Sequence, residues 1–400
     1  MSFAWVVALR LLREGRFQTL LIVGGIAVGV AVIVFLTAMI IGLQGSLIDN
    51  TLGSQAHIVV RPPDELARPL REGEEVAVLS RVQKPPQRLR SVDQWEALLP
   101  LLAGEAGVLA AAPTVAGPGL AIRGEAERAV AMLGIETDSY RRIVDLAGKL
   151  VAGALRLETE DILIGTDLAD ELGLELGDRL RIETAGGRGE SFTVRGLFDL
   201  GMRDLNLRYV YLDLRQAQTL QDLPGGVSSI ALRVRDIFAA KAIADRIEAQ
   251  TGLLAESWME TNSELLTALR SQDISTGLIR FFVAVSVAFG IASVLVVSVV
   301  QRSKEIGILR ATGTSRRQVM GIFLLQGGTL GLLGSFAGSA LALGLVWLFT
   351  TLVPDFPFPI PIDLPIVLGG IVLATLTGLL SATVPALRAA RLDPAEAIRG

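Results

Sequence analysis

Side chains able to do covalent chemistry are scarce in this sequence of 400 residues. Any Ser-His-Asp triad or imidazole metal site would have to use the single histidine, His57. It stands in AHIVVRP, at the start of an alternating apolar strand, and reads as a structural residue. There is no cysteine, which excludes a thiol nucleophile, a thiolate metal ligand and a disulfide. Gly148-Lys149 is followed by Leu150 and lacks the glycine-rich lead of a phosphate-cradling loop, so ATP hydrolysis is not expected on this chain. The acidic run DILIGTDLADELGLELGD (161–178) lacks the spacing of a calcium loop and reads as a solvated helix face. No catalytic residue, metal or cofactor is therefore expected.

What remains is a cluster of charge. Arg302, Lys304, Arg310, Arg316 and Arg317 crowd a short segment between two stretches without any charge. Inside it, Thr312-Gly313-Thr314-Ser315 reads as a helix break. Ser315 or Thr314 can accept a backbone N–H as the N-cap of a new helix from Arg316.

The elements that must position this segment are membrane helices. Mean hydropathy is +0.52. Half the residues are hydrophobic but only 5% aromatic, a balance expected of an integral membrane protein. Four runs contain no Asp, Glu, Lys or Arg: Phe17–Ile48, Phe281–Gln301, Gln318–Pro354 and Leu364–Leu387. Each exceeds the roughly 20 apolar residues needed to cross a bilayer core as a helix. The core of the first, Leu20 to Leu43, is longer than a signal-peptide h-region, so it is expected to stay as an uncleaved transmembrane helix. The short basic segments all fall on one side of four spans, so the N-terminus, 302–317 and the C-terminus are expected in the cytoplasm. No ionisable residue sits mid-span, which argues against an ion-coupled transporter.

The fold class expected is thus four transmembrane helices with a large mixed α+β extracytoplasmic domain between helices 1 and 2. The domains are 1–48 (cytoplasmic N-terminus and helix 1), 49–275 (extracytoplasmic domain) and 276–400 (helices 2–4, the 302–318 loop and a cytoplasmic tail). The large domain is acidic, which argues against nucleic-acid binding. Within it, 61–90 is Pro- and charge-rich and reads as surface loops. SVDQWEALLPLLA reads as a helix with a Ser91/Gln94 capping box and a Trp95, Leu98, Leu99, Leu102 stripe. RLRIET and SFTVRGLF flank AGGRG as a hairpin. In SSIALRVRD, Ile230, Leu232 and Val234 point inward and Arg233 and Arg235 outward. Asp236 is the expected N-cap of DIFAAKAIADRIEAQ. ESWMETNSELLTALRSQDI reads as a helix leading straight into the second span. In the membrane, Gly25 with Gly29, Gly327 with Gly331, and Gly334 with Gly338 repeat the four-residue spacing that lets helices pack closely.

QRSKEIGILRATGTSRRQVMGIFLLQG and VPALRAARLDPAEAIRG resemble the MacB/FtsX-like permeases of ABC transporters, and the likeness in helix order runs the length of the chain. IIGLQGSLIDNTLGSQAHIVV, GLFDLGMRDLNLRYVYLDLRQAQTL and VMGIFLLQGGTLGLLGS are similar to the lipoprotein-releasing, Lol-type branch (LolC and LolE). The resemblance implies a permease subunit of the cell inner membrane that works by mechanotransmission. ATP and Mg would sit on a separate ATPase subunit, and a second permease protomer, identical or not, would complete the pair. A coupling segment would press on the ATPase through Glu305, Arg310, Thr312, Gly313, Thr314, Ser315, Arg316, Arg317 and Gln318. A lipid-anchored cargo would lie against Met39, Ile40, Leu43, Leu47, Phe281, Phe282 and Phe289, for handover to a periplasmic lipoprotein carrier. The alternatives are export of a peptide or drug with a membrane-fusion adaptor, and a signalling permease that activates a cell-wall hydrolase.

Overall fold

The computed structural model describes residues 3–14, 16–64, 89–353 and 356–393. The expected surface loops of 61–90 therefore fall outside the described residues over 65–88. Two compact units form: Met1–Leu47 with Thr267–Gly400, and Ile48–Leu266. The second unit ends at Leu266 rather than at the expected 275.

In chain order the elements are α1 (Phe3–Glu14), α2 (Arg16–Gly53), β1 (Ile58–Arg61), α3 (Trp95–Ala103), β2 (Val108–Arg123), β3 (Ala126–Ile135), α4 (Thr137–Tyr140), β4 (Leu150–Gly153), β5 (Asp161–Gly165), α5 (Thr166–Leu172), β6 (Arg179–Thr184), β7 (Gly189–Phe198) and α6 (Arg203–Arg208). They continue with β8 (Tyr209–Asp213), α7 (Leu214–Leu220), β9 (Ser229–Val234), α8 (Ala240–Thr251), β10 (Leu254–Ser257), α9 (Trp258–Thr261), α10 (Ser263–Gln301), α11 (Ser303–Ala311), α12 (Arg316–Leu352) and α13 (Leu364–Arg391).

In the helical unit, α2, α10, α12 and α13 are each long and apolar enough to cross a membrane. Large side chains such as Phe336, Trp347, Leu380 and Val384 stay exposed on them, as lipid-facing surface requires. Ile26, Val30 and Val34 of α2 pack with Ile291 and Leu295 of α10, Leu330 of α12 and Ala374 of α13. The glycines sort by partner. A Cβ on Gly327 or Gly331 would run into Gly378, Ala382 or Ala374 of α13. A Cβ on Gly334 or Gly338 would instead run into Ile26, or into Ala27 and Val30, of α2. So α12 carries two small-residue seats one turn apart, one for each neighbour. Gly29 meets Val287 of α10, but nothing lies within 4 Å of a Cβ on Gly25. Gly25 is therefore not a close-packing position.

Among the described residues the other unit forms a ten-stranded sheet, ordered β10-β1-β9-β2-β3-β8-β5-β7-β4, with β6 pairing β2 and β7. β3–β8 and β5–β7 are parallel; the other pairs are antiparallel. Both faces are covered. Val210 and Leu212 of β8 enter one core, and Tyr211 enters the other with Phe198 and Ile135. The period of two alternates residues between the cores. The same alternation puts Ile230, Leu232 and Val234 of β9 in the first core and Ala231 in the second. The AGGRG hairpin closes between β6 and β7 with Gly187 at φ 76, a conformation that favours glycine.

Several local expectations are corrected. Ser91 does not cap α3. Val92 donates its N–H to Val227 O and Val227 donates to Ser91 Oγ, which holds this stretch extended. The helix begins only at Trp95, after Gln94 at φ 51. Asp236 caps a 3-10 turn, Ile237–Ala239, by accepting from Phe238 N at 2.9 Å, and α8 follows it. The helix expected from 256 is interrupted at Asn262 before α10 begins. The acidic run is not one helix face but β5, α5 and the turn after them. Of its acids, Asp161 is engaged within the unit with Arg195 at 3.0 Å, Asp178 with Arg123 at 2.9 Å, and Glu171 with Arg128, while Asp170 and Glu175 are exposed.

Candidate coupling site

The segment 302–318 folds as an elbow with both arms capped. α10 ends at Gln301, and Arg302 turns the chain into the short helix α11. Gly313 adopts φ 101, open to glycine and strained for other residues. Its N–H donates to Arg310 O at 3.2 Å, and Thr314 N–H donates to Leu309 O at 3.1 Å. This pair of bonds is the Schellman C-cap, which uses the last carbonyls of α11. One residue later α12 is capped in its turn. Ser315 Oγ accepts from Gln318 N at 3.3 Å and Gln318 Oε1 accepts from Ser315 N at 2.9 Å. Of the two candidate caps, Ser315 takes the role. Thr312 Oγ1 donates back to Leu309 O at 2.9 Å.

The basic residues separate into two groups. Arg316 and Arg317, with Gln318, are exposed on the first turn of α12. Cations at a helix N-terminus oppose the helix dipole, at a cost of about 0.3–1 kcal/mol each. Local stability therefore does not account for them. Glu305 is also exposed, 3.7 Å from Arg302. Arg310 and Arg302 turn inward instead. Arg310 Nη1 donates to Ala390 O at 3.2 Å, in the last turn of α13, and to Leu392 O just after it. Arg302 Nη1 donates to Glu14 Oε2 at 2.9 Å, and Arg10 Nε donates to Glu14 Oε1 at 2.9 Å. Hydrogen bonds from Arg10 and then Arg302 hold the Glu14 carboxyl below its usual range. Arg310 is thus not part of the exposed face. The sequence held a signal for this: Ile306 is buried, and Arg310 lies four residues on, on the same helix face.

The cavity positions disperse. A groove of ≈ 560 Å³ runs between Leu21–Val32 of α2 and Phe282–Val294 of α10. Its lining is apolar apart from Ser286 and includes Gly25, Gly29 and Gly290. Of the cavity residues expected, only Phe282 lines it. Phe281 and Phe289 are exposed elsewhere on α10, and Leu47 is exposed on α2. Met39, Ile40 and Leu43 are half-buried along α2, outside the groove. The sequence reading missed Gly25, Gly29 and Gly290 as groove-forming; small residues at matching depth in two spans were the available signal.

The profile of the MacB-like periplasmic core domain matches residues 19–250, and that of the FtsX-like permease C-terminal region matches 277–394. The chain belongs to the MacB/FtsX-like ABC transporter permeases. It is 26% identical to the lipoprotein-releasing system transmembrane protein LolC of Xylella fastidiosa (strain Temecula1), over 98% of each chain. It is 27% identical to LolC of Neisseria meningitidis serogroup B, over 86% of this chain and 82% of that one. It is also 37% identical to the macrolide export ATP-binding/permease protein MacB of Agrobacterium fabrum, over 35% of this chain and 20% of that protein.

The permease is therefore a membrane protein whose elbow lies within the FtsX-like region and whose sheet unit lies, up to residue 250, within the MacB-like core region. His57 has a local role in that sheet. Its buried Nδ1 lies 3.2 Å from both the N–H and the carbonyl oxygen of Val234, and burial lowers its pKa. Among the described residues no group of three His, Asp or Glu side chains could hold a metal ion.

Proposed function

We propose that this permease converts the closure of a partner ATPase into the release of lipid-anchored proteins from the inner membrane to a periplasmic carrier. The elbow carries the reading. It is capped on both arms, and it exposes two arginines that the helix dipole disfavours. The partner subunit would bind ATP and Mg, and this chain would carry no cofactor. A second permease protomer, identical or homologous, would complete the pair across the bilayer. In this reading the N-terminus, the elbow and the C-terminus are cytoplasmic, and the sheet unit is periplasmic. Near full-length likeness to LolC relatives supports lipoproteins as the cargo. The apolar groove between α2 and α10 could seat an acyl chain, since its volume is that of a small-ligand site.

The test is photo-crosslinking in cells from Phe282 and Val287, with mass identification of what is caught. Acylated lipoproteins support the reading. Capture of peptides or drugs alone would overturn it in favour of export with a fusion adaptor. The 37% identity to MacB over 144 residues favours that second reading.

A further inference from the structure

The last turn of any α-helix leaves carbonyls without intrahelical donors, and they carry the negative end of the helix dipole. One such carbonyl, Ala390 O in the last turn of α13, is met by a side chain from another helix, Arg310 of α11, which also donates to Leu392 O just past the helix end. The contact is set in an apolar knot. Val299 of α10, Ile306 of α11, Val319 and Phe323 of α12, and Ala386 and Ala389 of α13 pack there. Among the described residues Arg310 Nε is buried without a partner, so the guanidinium is desolvated toward this contact. An exposed ion pair contributes little. A cation donating to helix-terminal carbonyls from a half-buried site is stronger and more directional.

We propose that Arg310 is a positioning residue that locks the elbow to the end of α13. A push on Arg316 and Arg317 would then move α13 together with α11 and α12. Without the lock, the covalent connections of the elbow reach only α10 and α12. α13 has no chain link to the elbow except through the far end of α12, so its coupling at this end depends on contacts. This inference rests on the elbow being the ATPase contact, but it assigns Arg310 a separate role: binding the last helix and not the ATPase.

The test uses the whole complex with its ATPase in nanodiscs. The sequence has no cysteine, so spin labels can be placed at Ala311→Cys and Arg391→Cys, both exposed. In the parent, the distance distribution between them should be narrow and the same in nucleotide-free and vanadate-trapped states. Arg310→Met keeps a long apolar stem and removes the donor. It should broaden the distribution and make it differ between the two states. Arg310→Lys keeps a cationic donor and should restore most of the parent behaviour. Both variants should copurify the ATPase as the parent does. If Met and Lys both match the parent, apolar packing alone holds the two helices and the proposal falls. If Lys behaves like Met, the cationic donor is not what locks them, and the proposal also falls. Loss of the ATPase from both variants would place Arg310 at the ATPase contact and overturn it as well. The coupling reading fails on different evidence, if charge reversal at Arg316 and Arg317 leaves the ATPase bound.

Discussion

The elbow and the groove are both built from the helical unit, yet they are specified by opposite means. At the elbow, caps, a left-handed glycine and two inward arginines fix the backbone turns and the side chains of Arg302, Arg310, Thr312, Ser315 and Gln318. In the groove, glycines and apolar side chains leave ≈ 560 Å³ of room with a single hydroxyl, Ser286, on its walls. Hydrogen bonds are directional and fix an angle. Apolar contact is not, and tolerates many occupants. A region that must transmit force needs the first property. A region that receives cargo of varied shape is served by the second.

The sharpest way to break this contrast is at the exposed face of the elbow. Replacing Arg316 and Arg317 together by Glu should abolish copurification of the ATPase, since like charges brought together at a contact oppose binding. Insertion should survive, because Arg302, Lys304 and Arg310 keep a positive excess in that loop. A variant that still binds the ATPase would make the loop a topological anchor only. Next in size is Gly313→Val. A β-branched residue at φ 101 is strained by about 1–3 kcal/mol. The expected outcome is a lower melting temperature of the detergent-solubilised permease and a smaller ATPase response, with Gly313→Asn less affected. Equal melting of Val and Gly forms would mean that the elbow relaxes freely and is not a rigid joint.

Much of the elbow was legible in the sequence, because caps and left-handed glycines are local devices. Gly313 and Ser315 announce themselves by type and spacing. The spans were legible because length and absence of charge suffice. Ser91 misled for the opposite reason. Its capping pattern is intact, but pairing of Val92 with Val227, far along the chain, holds it extended. The acidic run misled likewise, since Arg123, Arg128 and Arg195 reach its acids from other strands. The groove was legible only as small residues at matching depth in two spans. It depends on which faces of α2 and α10 oppose each other, and no local pattern encodes that.

A smaller effect separates the polar contacts of the elbow from its caps. Glu14 holds Arg302 and Arg10 while ionised, and its pKa in the folded state is lowered. A carboxylate with a lowered folded pKa contributes stability above its unfolded range, near 4.3, and loses it as pH falls through the folded value. Spin labels at Arg13→Cys and Lys304→Cys should therefore keep one distance from neutral pH down to that range, and broaden only below it. Arg302→Gln should make the distribution broader at neutral pH and blunt its response to acid. A parent distance unchanged into strong acid would show that α1 is held by packing alone.

The smallest effect on stability is expected at Gly25 in the groove, and it sharpens the contrast most directly. Gly25 and Gly29 lie one turn apart on α2 and both line the groove. Only Gly29 is in close contact, with a Cβ there falling 2.6 Å from Val287 Cγ2, while a Cβ on Gly25 meets nothing within 4 Å. Gly29→Val should force α10 to shift and should cost about 1–3 kcal/mol, as overpacking does. Gly25→Val should fit into open space and leave melting within about 0.5 kcal/mol of the parent. It would nevertheless fill part of the groove, so crosslinking of acylated cargo from Phe282 should fall while ATPase copurification stays intact. If Gly25→Val melts normally and cargo capture is undiminished, the cargo does not use this groove. The permissive region would then have to be sought along the exposed positions of α10, at Phe281 and Phe289.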